Sequence, residues 1–211
     1  MPRRLNLPES VSAANATTGA RLIAPSAERN AAAITEALAS IAPATGCALE
    51  LASGTGQHIV GFARSMPGLT WRPSEVDPVR AASIDAYVME AALANLHPPL
   101  ELDATAPGWG ARHGGQALIV LINLLHLVST RESQVLISEA AAALATGGRI
   151  AIYGPFLRDG ATTSEGDAQF DASLRAQDPE IGYKDVLGVS NMLQEAGLSP
   201  PNILKMPANN L

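Results

Sequence analysis

The densest chemistry in this chain lies in the segment Ala48-Leu-Glu50-Leu-Ala52-Ser53-Gly54-Thr55-Gly56-Gln57-His58. An apolar run carries a carboxylate near its end, passes through a glycine turn and enters an amphipathic stretch. Gly54 and Gly56 lack Cβ and tolerate positive φ, so a ligand can approach the turn's backbone closely. A dinucleotide fingerprint needs G-x-G-x-x-G and a helix N-terminus free to receive pyrophosphate. Here the third glycine is absent, because Ile59 stands three residues after Gly56. Glu50, inside the motif, would repel a pyrophosphate and attract a cation. S-adenosylmethionine, which carries an ammonium and a sulfonium, suits such a turn. Ala52, Ser53, Gly54, Gly56 and Gln57 are expected to contact it, and His58 to orient its carboxylate or cap the helix. The plainer reading of the same residues is a tight strand–helix turn with no ligand.

Further polar groups fall at the ends of later apolar runs. Ser74-Glu75-Val76-Asp77 closes the next run, where an acid is placed to hydrogen-bond a ribose diol. Glu75 is the first choice and Asp77 the register-shifted alternative. Asp103 ends the third run. Each acid taken singly reads as a helix cap or solvated turn; three at successive strand ends argue for a ligand. Asn123 and His126 end the most apolar run, and Tyr153 ends the fifth. An imidazole ordinarily titrates near neutrality, so His126 is a candidate base, or equally a histidine bonded to backbone at a helix start. Tyr153 offers a hydroxyl over the pocket, or fills the core. Arg29 and Asn30 form a polar pair in the first firm helix. Asn209 and Asn210 are amides suited to an acceptor or to the cofactor's methionyl end, with turn chemistry as their other reading.

The elements that must position these residues are legible as alternation. Apolar runs at Cys47–Ala52, Leu69–Pro73, Leu100–Asp103, Ala117–Leu125 and Arg149–Tyr153 are separated by helical patterns near Gln57–Met66, Pro78–Leu96, Arg131–Ala145 and Asp185–Ala196. That rhythm predicts an α/β fold, Rossmann-like, with a mostly parallel twisted sheet and helices on both faces. Ala117–Leu125 is almost continuously apolar, as a central strand buried on both faces should be. Ser26 is expected to cap a first helix whose apolar face uses Ile34, Leu38 and Ile41. Residues 1–24 read as a flexible arm and 25–211 as a single domain. Asn202–Met206 has the pattern of a strand, which would lack a last strand to pair with, or precede a truncated C-terminus.

Composition narrows the function classes. The chain has 211 residues, 47% of them hydrophobic, enough for one sizeable core. Its formal charge of −6 and lack of a Lys/Arg cluster argue against nucleic acid as a partner. The single cysteine, Cys47, sits in an apolar run and is expected to be buried packing. His58, His97, His113 and His126 show no metal-ligand spacing, so no metal is expected. No run is long enough for a membrane helix, and the polar N-terminus does not suit a signal peptide, so a cytoplasmic location is expected. Nothing in the sequence sets the oligomeric state.

The E-x-A-x-G-x-G order resembles the first motif of class I methyltransferases, with Ala52 in place of the commoner glycine. More specifically, the chain resembles the methyltransferase-like family called domain of unknown function 938, whose animal member is methyltransferase-like protein 26. The resemblance runs from Ser26 to Leu211. It rests on Ala27-Glu-Arg-Asn30, Leu49–His58, Trp71–Asp77, Ile122-Asn-Leu-Leu-His126, Tyr153-Gly-Pro-Phe156, Phe170–Arg175 and Met206-Pro-Ala-Asn-Asn210. It implies a class I methyltransferase fold, with Asp103 where the adenine amino group is usually held. Gly166-Asp167 and Ile181-Gly-Tyr-Lys-Asp185 depart from the family's Ser-Asn and Trp-Gly-x-Arg-Asp. Both departures lie beyond the cofactor half, so they bear on the acceptor. The expected activity is methyl transfer to a small molecule by in-line displacement, which needs alignment and dryness more than acid–base help. The alternatives are an S-adenosylmethionine-binding protein without transferase activity and a nicotinamide-dependent oxidoreductase. The missing glycine and Glu50 argue against the last.

Overall fold

The computed structural model describes residues 14–16 and 19–211. Much of the arm expected over residues 1–24 thus lies outside the described residues. What is described of it includes an antiparallel pair, β1 (Asn15–Ala16) and β2 (Leu22–Ile23). Helix α1 (Pro25–Ile41) follows directly. Pro25 opens it, since its fixed φ and missing N–H suit a first turn. Ala24 occupies the capping position with no side-chain cap, so Ser26 lies inside the helix and does not cap it.

The centre is a five-stranded parallel sheet of β3 (Gly46–Leu51), β4 (Leu69–Glu75), β5 (Leu100–Glu101), β6 (Gln116–Ile122) and β7 (Leu144–Tyr153) in the order β5-β4-β3-β6-β7. The connecting helices are α2 (Gln57–Ser65), α3 (Pro78–Ala91), the single turn α4 (Trp109–Arg112) and α5 (Thr130–Ala143). Beyond β7 come β8 (Phe156–Leu157), α6 (Glu165–Gln177), β9 (Lys184–Asp185) and α7 (Val186–Glu195), with β8 and β9 paired in parallel.

The two-residue period of a strand explains why the apolar runs are continuous. Ala48, Leu118 and Val120 face a core with Ile34 and Leu38 of α1 and Ile59 and Phe62 of α2. Leu49, Leu51, Ile119 and Leu121 face the opposite core, with Leu136 and Ile137 of α5 and Val189 and Leu193 of α7. Helices therefore cover both faces, as the alternation predicts.

The differences from the sequence-based expectation are local. Cys47 is exposed, because β3 leaves the Pro43–Gly46 turn there and becomes buried only at Ala48. Asn202–Met206 forms no strand. The chain turns back there: the Leu211 amide donates to the Gly154 carbonyl at 3.1 Å, and the Gly154 amide to the Leu211 carbonyl at 3.2 Å. Strand β6 ends at Ile122 rather than Leu125, because Asn123 adopts a left-handed φ of 55° and Leu125–Leu127 turns into a 3-10 helix. A groove of about 1060 Å³ follows the free edge of β7, lined by Leu38, Ile41, Ile150, Ile152, Leu198 and Met206 among others. It lies apart from the glycine turn. Among the described residues no helix is long and apolar enough to cross a membrane.

Candidate functional site

Strand order fixes where a ligand can sit. From β3 the chain moves to β4 on one side, whereas β6 lies on the other, so the carboxyl ends of β3 and β6 flank the switch point of the sheet. Ligands of open α/β sheets bind in the crevice at that point. Glu50 stands there, level with Pro73 of β4 and Val120 of β6.

The turn after β3 is held from below by β4. The Ser53 amide donates to the Ser74 carbonyl at 2.8 Å, and the Ser74 hydroxyl donates to the Glu50 carbonyl at 2.9 Å. Ala52 is held at φ 50°, a conformation strained for any residue with a Cβ. The glycines that follow do different work. A Cβ on Gly54 would meet nothing within 4 Å, so the space above it is open to a ligand. A Cβ on Gly56 would lie 2.9 Å from the Ile84 Cα, so Gly56 permits the close approach of α2 to α3.

Four acids at the strand ends have different duties. Glu50 is 2% exposed and its Oε2 has no hydrogen-bond partner among the described residues. Burial pushes its carboxyl up to about 8, against a lowering hydrogen bond from Ser53, with the charge of Glu75 raising it further. Glu75, also buried, accepts the amides of Gly54 at 3.0 Å, Val76 at 2.8 Å and Asp77 at 3.2 Å. It thereby ties the glycine turn to the start of the next crossover. Asp77 caps α3 by accepting the amides of Val79 at 2.8 Å and Arg80 at 3.2 Å. Asp103 accepts the Thr105 amide and hydroxyl at 2.9 and 2.6 Å, closing a turn after β5.

Another group of expected residues gathers around an uncharged network. The His58 Nε2 is 2.9 Å from the Asn30 Oδ1, and its ring stacks on Phe62 with centroids 5.9 Å apart. Burial lowers its pKa to about 4, so the imidazole is neutral at physiological pH. Burial raises the Tyr153 hydroxyl, while hydrogen bonding with the side chains of Asn30 and Asn210 pulls the other way. Asn210 reaches Tyr153 because the chain folds back at Gly154. Asn123 joins the same strand ends through its amide, which donates to the Tyr153 carbonyl at 2.8 Å. Asn209, in a left-handed turn with φ 61°, donates instead to Asp167 at 3.2 Å, and its carbonyl accepts from Arg158. Arg29 is exposed on α1.

His126 keeps different company. It is buried on the 3-10 turn after β6, edge-on to Phe170 and Tyr183 at 5.8 and 6.1 Å. Its pKa falls to about 3, through burial first and the nearby Lys184 ammonium second, with Asp171 opposing. Its carbonyl accepts the Gly182 amide at 3.0 Å. Lys184, itself buried, donates to the carbonyls of Val128 at 2.7 Å and Gly182 at 2.8 Å. The sequence singles out Lys184 only as a departure from a family string, and gives no sign of its partners. Ser74 and Ser83 were not legible either, because a buried serine inside an element looks like any other helix or strand position. Among the described residues no cluster of His, Cys, Asp and Glu could hold a metal ion.

Comparison with known proteins agrees with this geometry. The model of a family described as protein of unknown function (DUF938) matches residues 21–211. Among solved structures, the chain is similar to an O-methyltransferase family protein from Burkholderia thailandensis, with TM-score 0.70 and 18% identity over 82% of this chain and 51% of that one. It is similar to human N-acetylserotonin methyltransferase in complex with SAM, with TM-score 0.71 and 14% identity over 88% and 50% of the two chains. It is also similar to PigF, solved with SAH, with TM-score 0.70 and 20% identity over 88% and 61%. The chain thus spans about half the length of the first two and somewhat more of the third. At these identities the likeness establishes the fold, that of class I methyltransferases.

Proposed function

This chain belongs to the DUF938 family, and we propose that it is an S-adenosylmethionine-dependent methyltransferase acting on a small-molecule acceptor. The observation that carries the reading is the Glu50 Oε2, a buried carboxyl oxygen without a partner among the described residues, at the switch point of the sheet. An unpaired buried polar atom is costly unless a ligand completes it. A carboxyl in that position fits the cationic end of S-adenosylmethionine better than a pyrophosphate. In this reading Glu50 faces the cofactor's charge, the turn Ala52–Gly56 with Gln57 and His58 lies along its methionyl part, and Glu75 takes the ribose. Asp103 faces the adenine, and Asn123 closes the crevice from β6. Asp77, engaged as a cap, has a structural duty.

When bound, the cofactor supplies an activated methyl group for in-line displacement. The chain's own residues orient the acceptor and keep water out. Tyr153, Asn30 and Asn210 supply uncharged donors and acceptors for that purpose, with Arg29 and Asn209 at the rim. Tyr153 keeps its proton at neutral pH and so acts as a hydrogen-bond donor. His126, held neutral among aromatic rings, is a weak base, and positioning carries the transfer. The same burial of His126 favours the second reading, a cofactor-binding protein without transfer activity of its own.

Calorimetry with S-adenosylmethionine, S-adenosylhomocysteine and NADH tests the first step. The two sulfur compounds are expected to bind and NADH to give no heat; the reverse pattern sinks the reading. Incubation with labelled cofactor and a metabolite extract then decides between transferase and binding protein, according to whether label reaches a small molecule.

A further inference from the structure

Two side chains join the glycine turn to the segment that precedes α1. The Ser83 hydroxyl donates to the Thr55 carbonyl at 2.8 Å and accepts the Leu22 amide, also at 2.8 Å. The Gln57 Oε1 accepts the Thr55 hydroxyl at 2.9 Å and the Ala24 amide at 2.6 Å. Thr55 is therefore gripped at its carbonyl and at its hydroxyl, and each grip ends on a backbone amide of residues 22–24. The segment is secured from outside as well. The Tyr87 hydroxyl donates to the Leu22 carbonyl at 3.1 Å, while Arg21 lies over the Tyr87 ring at 5.5 Å and pairs with Glu90 at 2.5 Å. Ser83 is fully buried and Thr55 nearly so, whereas the segment itself is only half-buried. The turn is thus braced by a strap whose own hold on the core is modest.

We infer that Arg21–Ala24 is a strap latched to the cofactor turn through Ser83 and Gln57, so that cofactor binding and strap docking reinforce each other. The inference rests on the cofactor reading proposed above. Thr55 lies between Gly54, which borders the open space, and Gly56, which locks α2 to α3. Fixing Thr55 fixes the turn's amides in a conformation rich in positive φ, and a ligand seated on those amides holds Thr55 in return. Linkage requires the effect to be reciprocal: whatever the docked strap adds to cofactor affinity, the bound cofactor adds to strap docking. Ser83 is a positioning residue in this scheme, acting through Thr55, whereas Gln57 both joins the strap and lies beside the cofactor.

Hydrogen exchange on the full-length protein, with and without saturating S-adenosylhomocysteine, tests the coupling. The amides of Leu22 and Ala24 are expected to exchange about tenfold more slowly with the ligand present. In the Ser83→Ala variant, the ligand is expected to bind about fivefold more weakly and to give no added protection at the Leu22 amide. The wild-type measurement needs no variant, so it stands even where Ser83→Ala fails to fold. Calorimetric binding with unchanged exchange at Leu22 and Ala24 overturns the strap and leaves the cofactor reading intact. Absence of any binding heat overturns both.

Discussion

At the scale of single residues, Glu50 and the buried histidines pull stability in opposite directions with pH. The Glu50 pKa is raised to about 8. Between about 4.5 and 8 the folded protein holds a proton that the unfolded chain releases. This contribution is therefore most favourable at low pH and is lost as pH rises toward 8. His58 and His126 are lowered to about 4 and about 3. Below about 6.5 the unfolded chain takes protons that these two refuse, so their contribution is lost as pH falls from 6.5 toward 4 and 3. Glu50→Gln is expected to stabilise the ligand-free protein, by roughly 1–3 kcal/mol at pH 8 and little at pH 5, while weakening S-adenosylmethionine by roughly 1–3 kcal/mol. Thermal melts at both pH values with a calorimetric titration check this. Equal melting shifts at the two pH values, or unchanged affinity, would count against a buried carboxyl reserved for a cation. His126→Phe is expected to flatten the loss of stability between pH 6.5 and 5 by roughly 1–2 kcal/mol, with S-adenosylhomocysteine affinity unchanged. An unaltered acid limb would show that His126 is not among the groups refusing a proton.

At the scale of elements, the glycine turn separates strain from packing. Ala52 sits at φ 50°, where only glycine rests without a Cβ penalty. Ala52→Gly is expected to raise stability by about 1 kcal/mol, and a lower melting temperature would refute that account of the turn. Gly56→Ala is expected to destabilise by more than about 1 kcal/mol, because its Cβ meets backbone on α3; a silent change would mean that α2 and α3 can part without loss. The sequence revealed these elements unevenly. Runs such as Ala48–Leu51 and Leu118–Ile122 declared their strands because a doubly covered strand must be apolar on both faces. The glycine turn after β3 was legible because backbone conformation restricts what such a turn can contain. Ser26 misled, since capping preference does not see that Pro25 already starts the helix. Asn202–Met206 misled because strand propensity is silent about whether a partner edge is within reach. Helix α6 and the β8–β9 pair went unread: α6 buries only Leu174, so it carries little hydrophobic periodicity.

At the scale of the whole molecule, the sheet brings distant polar positions to one edge. Asn30 from α1, His58 from α2, Tyr153 from β7 and Asn210 near the C-terminus share one uncharged network. The spacing of these residues gave no hint of it. Only the return of the chain at Gly154 brings Asn210 to Tyr153, and that return is a tertiary event. His126, read from sequence as a candidate base or a histidine bonded to backbone at a helix start, packs with Phe170, Tyr183 and Lys184. In the proposed site, this network would form a neutral wall and the Glu50 carboxyl the place for charge. A cation entering beside Glu50 must favour its ionised form and expel the proton that burial retains.

That proton is the most direct test of the account. Titration of S-adenosylmethionine at pH 7 by calorimetry, in two buffers of different ionisation enthalpy, reads it as a difference in apparent heat. The expected result is binding with release of about one proton, with the release abolished in Glu50→Gln. Binding that releases no proton, or the same release in the variant, would contradict the assignment of Glu50 to the cationic end of the cofactor.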